Sequence, residues 1–409
     1  MIDRTKSGRS GHAYGAFLGT LALLAIGLWS PSTRWETLER LRESARSLEL
    51  NQAERERGAA GYYEGLISVS ATPGTRDELA LRLLGKPANW LRFQDADATA
   101  VLSDDLLQFE LLPDVDREIQ GKRFSTNSHG LRDRPYTTQT PPNTFRIALL
   151  GSSMDMGWGV ATEETYENLL EDWLNAHARL RDVDRNFEIL NFAVAAYGPV
   201  QRLESFRRKA RDFQPDLVIY SATLLDPRLL EIHLCMLLQH RVELPKNYDF
   251  VKTILNKAGI RPSDLVLNPK TGDLAYKERI KANLKPWSAM LVEEVLQTLK
   301  QECVSLDARV WGVMIPRVGK SDAPDVRGPM VQQTRAIFDR QAIPLIDLTA
   351  TFDGLDPAEL EIAAYDDHPN TEGHRKLFRS FAKSLVNNPS LYRQLFEIDP
   401  PPFARQDQD

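Results

Sequence analysis

Phe145-Arg146-Ile147-Ala148-Leu149-Leu150-Gly151-Ser152-Ser153-Met154-Asp155-Met156-Gly157-Trp158-Gly159-Val160 reads as a strand that stops and turns sharply. A short apolar run ends at Gly151, two serines follow, and Gly157 and Gly159 keep the next turn slim. Beyond it, Thr162-Glu163-Glu164-Thr165 opens a helical pattern that carries Tyr166, Leu169, Leu170, Trp173 and Leu174. Thr162 and its acidic neighbours have the chemistry of a helix start. Strand, tight turn and helix can hold a serine hydroxyl at the carboxyl end of a parallel sheet. Taken alone, the stretch also suits a serine-rich loop in any α/β protein.

Working outward, five apolar runs alternate with helical patterns: 145–150, 187–192, 217–221, 309–315 and 344–348. Amphipathic stretches near 162–177, 200–212, 287–305, 328–341 and 371–386 lie between and after them. Short buried runs separated by helices predict an α/β fold, a three-layer α/β/α sandwich around a central, mainly parallel five-stranded sheet. The connection over about 227–286 is longer than a crossover needs and is expected to be an insertion forming a lid or substrate wall. It opens with a helix expected over 229–238.

The chain has 409 residues, with 51 basic and 57 acidic side chains and a net charge of −6. No basic stripe with interleaved aromatics is present, so nucleic acid is not an expected partner. Arg4, Lys6 and Arg9 precede an uncharged run whose apolar core is 16–29. A positive flank, an apolar middle and Trp29 at its far edge predict an exported segment over 1–33, with the remainder extracytoplasmic. With no small-x-small cleavage site after it, an uncleaved anchor is the favoured reading over a removed signal peptide. Residues 34–120 read as a charged helical stalk and extension, 121–390 as the main domain and 391–409 as a tail. Cys235 and Cys303 are the two cysteines; both fall in apolar helical patterns, and their pairing stays open.

The second decisive segment is Tyr365-Asp366-Asp367-His368-Pro369-Asn370-Thr371-Glu372-Gly373-His374. An acidic pair beside a histidine can supply a base and the group that orients it. A histidine titrates near 6.5, so His368 can take up and return a proton around neutrality. The seven histidines show no metal-ligand spacing, so no metal is assigned. No GxGxxG or P-loop occurs, so no nucleotide cofactor is expected.

Together the two segments resemble the SGNH (GDSL-type) hydrolase family over roughly 122–390. Gly151-Ser152-Ser153 and Gly157-Trp158-Gly159-Val160 match its first block, with Ser152 where the family has Asp. Asp-Asp-His-Pro-Asn and Gly373-His374 match its last. The 124–133 segment, Phe-Ser-Thr-Asn-Ser-His-Gly-Leu-Arg-Asp, is similar to one that leads into the first block in envelope members; His129 reads there as a turn residue. Asn191-Phe192-Ala193-Val194-Ala195-Ala196-Tyr197-Gly198 resembles the second block, with alanines at 193 and 196 in place of glycines. The third block's Asn is Leu225 here.

The resemblance implies a nucleophile at Ser153, with Ser152 as its competitor, and a base at His368. Its usual acid position, three before the histidine, holds Tyr365. Asp366 is the better candidate, Asp367 reads as exposed, and a backbone carbonyl could orient His368 instead. His374 reads as a packing or capping residue. The oxyanion donors expected are the N–H groups of Ser153 and Ala196, the latter if its φ stays negative. Leu225 cannot donate, and a missing donor costs roughly 3 kcal/mol of transition-state stabilisation; Thr223 is the candidate substitute. The implied activity is hydrolysis of a small acyl ester, such as acetyl, on an envelope carbohydrate. Acyl transfer to a sugar hydroxyl through the same acyl-serine is the second reading. An inactive glycan-binding or scaffolding module, favoured by the changes at 152, 193, 196 and 225, is the third.

Overall fold

The computed structural model describes residues 100–102, 105–119, 121–269, 274–318, 324–363 and 366–401. The expected anchor and the 34–99 part of the stalk lie outside these residues. Among the described residues no helix is long and apolar enough to cross a membrane.

Five strands form the central sheet: β1 (Thr144–Leu150), β2 (Asn186–Asn191), β3 (Leu217–Ala222), β4 (Arg309–Met314) and β5 (Leu345–Asp347). Their spatial order is β2-β1-β3-β4-β5, and every pairing is parallel. The helices are α1 (Ser153–Met156), α2 (Tyr166–Leu180), α3 (Pro199–Arg208), α4 (Asp226–Gln239), α5 (Asp249–Lys257), α6 (Lys277–Leu284), α7 (Ser288–Ser305), α8 (Pro324–Arg340), α9 (Pro357–Leu360), α10 (Thr371–Val386) and α11 (Pro389–Phe396). An antiparallel pair, β6 (Glu361–Ala363) and β7 (Asp366–Pro369), precedes α10.

Alternation along the strands explains the three layers. Phe145, Ile147 and Leu149 of β1 join Leu170 and Leu174 of α2, Leu377 and Phe381 of α10, and Leu391 and Phe396 of α11. Ala148 and Leu150 face the other way, into a cluster with Val200 and Leu203 of α3, Leu230 and Leu234 of α4, Val295 and Leu299 of α7, and Phe338 of α8. A strand covered on both faces must be apolar at nearly every position, and β3 is buried along its whole length. Full burial of each large aliphatic or aromatic side chain contributes roughly 1.5–3 kcal/mol.

Several expectations change. Helix α2 begins at Tyr166 rather than Thr162. Thr165 is its cap, accepting the Asn168 N–H, and 162–164 forms a 3-10 turn. The 227–286 region is packed against the body of the fold. Tyr248, Val251 and Ile254 in and beside α5, and Ile280 and Leu284 of α6, enter the cluster built on α3 and α7. Leu391, Tyr392, Leu395 and Phe396 are buried, so the chain beyond 390 begins with a packed helix. Residues 105–119 likewise belong to the packed unit. Leu107, Phe109, Leu111 and Val115 share a cluster with Met156, Trp158 and 193–197. Tyr197 Oη donates to the Phe109 carbonyl at 2.6 Å and Gln201 Nε2 to that of Leu107 at 2.8 Å. Both cysteines are buried, and no disulfide joins them.

Candidate active site

Strand order 2-1-3-4-5 reverses its direction of growth between β1 and β3, and in open α/β sheets ligands bind outside the carboxyl ends of the strands at such a point. The serine turn lies there, directly after β1. Ser152 is the N-cap of α1 and Ser153 its first residue. The Asp155 carboxylate reaches back to accept the Ser152 N–H at 2.8 Å and also accepts the Tyr166 hydroxyl at 2.7 Å. Burial pushes the Asp155 carboxyl above its ordinary pKa. The close return of Asp155 accounts for Gly151, where a Cβ would lie 2.3 Å from Asp155 Oδ2. From β2, Asn191 Nδ2 donates to the Asp155 carbonyl at 2.8 Å.

The last block arrives on β7. Pairing of Ala363 with Asp366 and of Glu361 with Pro369 fixes the strand. Asn370 caps α10 by accepting the N–H groups of Glu372 and Gly373, and its own amide donates to the Glu359 carbonyl at 2.9 Å. This explains Pro-Asn after the histidine: the cap holds the end of the strand that carries His368.

The structure brings Ser153, His368 and Asp366 together. His368 Nε2 lies 2.7 Å from Ser153 Oγ, and His368 Nδ1 lies 2.5 Å from Asp366 Oδ1. With Asp366 accepting from Nδ1–H, Nε2 is left as the acceptor for the serine proton. Burial alone would raise the Asp366 carboxyl. The His368 charge, hydrogen bonds from its ring and N–H, and one from the Trp158 indole outweigh this and hold the group below its ordinary pKa. Ser153 and His368 are each 2 % exposed and Asp366 3 %.

The remaining candidates divide. Ser152 is buried at the cap, and the hydroxyl that meets His368 is that of Ser153. Asp367 forms an ion pair with Arg317 instead of standing exposed. Thr223 does not replace the missing donor: its hydroxyl donates to Asp226 Oδ1 at 3.0 Å. Asp226 Oδ2 in turn accepts from Arg202 at 2.9 Å and the Tyr220 hydroxyl at 3.2 Å. Leu225 packs beside the cluster of Trp158 and 193–197. Ala196 has φ +65°, so the expectation of a negative φ is corrected. The Ser153 N–H belongs to the first turn of α1, whose N–H groups have no intrahelical acceptor. His129 sits in a turn, with Nε2 3.1 Å from the Tyr136 carbonyl oxygen. His374 accepts the Tyr166 N–H on Nδ1 at 3.1 Å, and burial draws it down to about 3, so it is a neutral packing residue.

One group among the described residues has metal-ligand proximity, Asp366, Asp367 and His368. Within it Asp366 and His368 are bonded to each other, while Asp367 is paired with Arg317.

Sequence reasoning missed two residues here. Trp158 donates its indole N–H to Asp366 Oδ2 at 3.1 Å. Arg132 is buried, and its guanidinium donates to the carbonyls of Met156, Gly157 and Val160. The signal for both was their place inside the quoted motifs, which show residue types but not partners more than twenty positions away.

No protein-family model and no curated protein matches the chain. Solved structures similar to it include TesA, at 13 % identity over 59 % of this chain and 97 % of that one, with a TM-score of 0.35. Another is a catalytic mutant of Axe2, an acetylxylan esterase from Geobacillus stearothermophilus, at 16 % identity over 59 % and 93 %, TM-score 0.37. A third is the psychrotrophic esterase EstA from Pseudoalteromonas sp., at 14 % over 60 % and 100 %, TM-score 0.34. At such values the chemistry has to be argued from this chain's own residues. The resemblance to the SGNH hydrolases read from the two end blocks extends to geometry, because the serine of the first and the histidine and acid of the last form one hydrogen-bonded relay.

Proposed function

We propose that this chain is an SGNH-type serine esterase that hydrolyses a small acyl ester. Ser153 Oγ attacks the ester carbonyl while His368 Nε2 takes its proton; Asp366 orients the imidazole and stabilises its cationic form. The tetrahedral oxyanion is met by the N–H of Ser153 in the first turn of α1. His368 then returns the proton to the leaving alcohol, and water repeats the sequence on the acyl-serine. The observation that carries this reading is the 2.7 Å contact between His368 Nε2 and Ser153 Oγ, backed by Asp366 at 2.5 Å. The near-complete burial of Ser153 supports a small acyl group, of which acetyl is the simplest. A carbohydrate ester outside the cytoplasm is the substrate we favour, on the strength of the apolar 16–29 segment behind a basic flank.

Labelling of the full chain by a fluorophosphonate, with the adduct mapped by mass spectrometry, tests the site. Label is expected on Ser153 and is expected to vanish in Ser153→Ala and His368→Ala. A folded protein that takes no label would move the assignment to a retired, glycan-binding module. Acetate release from an acetylated oligosaccharide, with and without a sugar acceptor, tests the reaction. Release unchanged by the acceptor counts against transfer.

A further inference from the structure

The acid of this relay is held from both sides, and the second hold comes from the nucleophile's own turn. Asp366 Oδ1 accepts from the His368 ring at 2.5 Å and from the His368 N–H at 3.2 Å. Asp366 Oδ2 accepts from the Trp158 indole at 3.1 Å. A carboxylate bound through one oxygen can rotate about Cβ–Cγ; bound through both, its plane is set. The indole N–H also offsets part of the cost of burying the anion, since hydrogen bonds to a charged acceptor are the strong ones. The Trp158 backbone N–H donates to the Ser153 carbonyl at 3.0 Å, so one residue contacts both ends of the relay.

Trp158 is itself fixed. Arg132 binds the Met156, Gly157 and Val160 carbonyls, which bracket it on both sides. Its guanidinium carbon lies 5.1 Å from the centre of the Phe124 ring. Gly157 has φ +77°, and a Cβ there would lie 2.6 Å from Arg132 Nη1 and 2.3 Å from Thr165 Cγ2. The glycine therefore leaves room for the guanidinium beneath the turn. Burial brings Arg132 down to about 10, so it keeps its charge at neutral pH.

We propose that Trp158 is a positioning residue of the relay: its indole N–H sets the Asp366 carboxylate, and through it the His368 ring, while Arg132 holds the turn that carries it. This rests on the serine-esterase reading above. It adds a requirement for the indole N–H itself, separate from the bulk of the ring.

The test replaces Trp158 in the full chain in two ways, by Trp158→Phe and by 3-benzothienylalanine, which keeps the bicyclic shape and removes the N–H. With p-nitrophenyl acetate, kcat is expected to fall about tenfold or more in both, with KM little changed, as for one charged hydrogen bond lost. Without its donor the carboxylate holds a proton more tightly and raises the basicity of His368. The acid limb of the rate profile should thus move up by about half a pH unit. The low-field proton resonance of His368 Nδ1–H is expected to shift in both variants. A merely structural role would lower thermal stability in Trp158→Phe and leave the benzothienyl protein like wild type in rate, pH limb and resonance; that result overturns the proposal. The resonance requires no substrate. If wild type lacks turnover and Ser153 labelling, the esterase reading fails, and the resonance still decides the part played by Trp158.

Discussion

Ala196 occupies a position where the resembling family has glycine, and it takes φ +65°. For a residue with a Cβ this left-handed conformation costs roughly 1–2 kcal/mol. Ala196→Gly is therefore expected to stabilise the fold by about 0.5–1 kcal/mol, the relief exceeding the added chain entropy of glycine. Urea unfolding followed by circular dichroism checks it, and a lower midpoint would contradict the strain. Leu225 raises the converse question, a donor removed. Thr223 is committed to Asp226 and does not make up the loss. Leu225→Asn is expected to raise kcat on p-nitrophenyl acetate by about tenfold or more, approaching what one oxyanion donor supplies. An unchanged kcat would place position 225 outside reach of the oxyanion.

At the scale of elements, the serine turn works as a unit with β7. Its interior is polar and tied: Asp155 to Ser152 and Tyr166, Asn191 to Asp155, Arg132 to three carbonyls. Gly157→Ala tests this unit, since the methyl would meet both Arg132 and Thr165 at a backbone with φ +77°. A loss of about 2 kcal/mol or more in stability is expected from strain and overpacking together. Ser153 labelling should slow with it, because Trp158 moves with the turn. Stability equal to wild type would mean that Arg132 and Thr165 yield freely.

For the whole molecule, buried titratable groups set the pH range of stability. Burial draws His374 down to about 3 and His233 to about 4, against an ordinary value of 6.5. Between pH 6.5 and those values the unfolded chain binds protons that the folded chain refuses, so stability falls as pH drops through that window. Asp133 works in the opposite sense. Burial pushes it above its ordinary value of 3.8, so the folded chain keeps a proton that the unfolded chain has released, and stability falls as pH rises above that value. A tenfold difference in proton affinity between folded and unfolded chain corresponds to about 1.4 kcal/mol at full effect. His374→Asn, whose Oδ1 lies on Cγ as the ring Nδ1 does and can still accept the Tyr166 N–H, is expected to flatten the decline between pH 6.5 and 3 in a urea-midpoint series. A slope equal to wild type would show that other groups carry it.

The fold was largely written in local pattern. The apolar runs coincide with β1 to β5 to within a residue or two at each end, because strands buried on both faces are apolar at nearly every position. Helix α10 was legible because Asn370 caps it and its apolar face repeats at helical spacing. The serine, histidine and acid could be named because each lies inside a short motif. What lay beyond the sequence were relations between distant segments: the Trp158–Asp366 bond across 208 positions, the Arg132 clamp across 24 to 28, and the docking of 105–119 onto the 193–197 turn. A sequence records which groups can donate and accept. Which donor meets which acceptor depends on how the chain closes on itself, so the sign of φ at Ala196, the engagement of Thr223 and the second hold on Asp366 were decided by the tertiary structure alone.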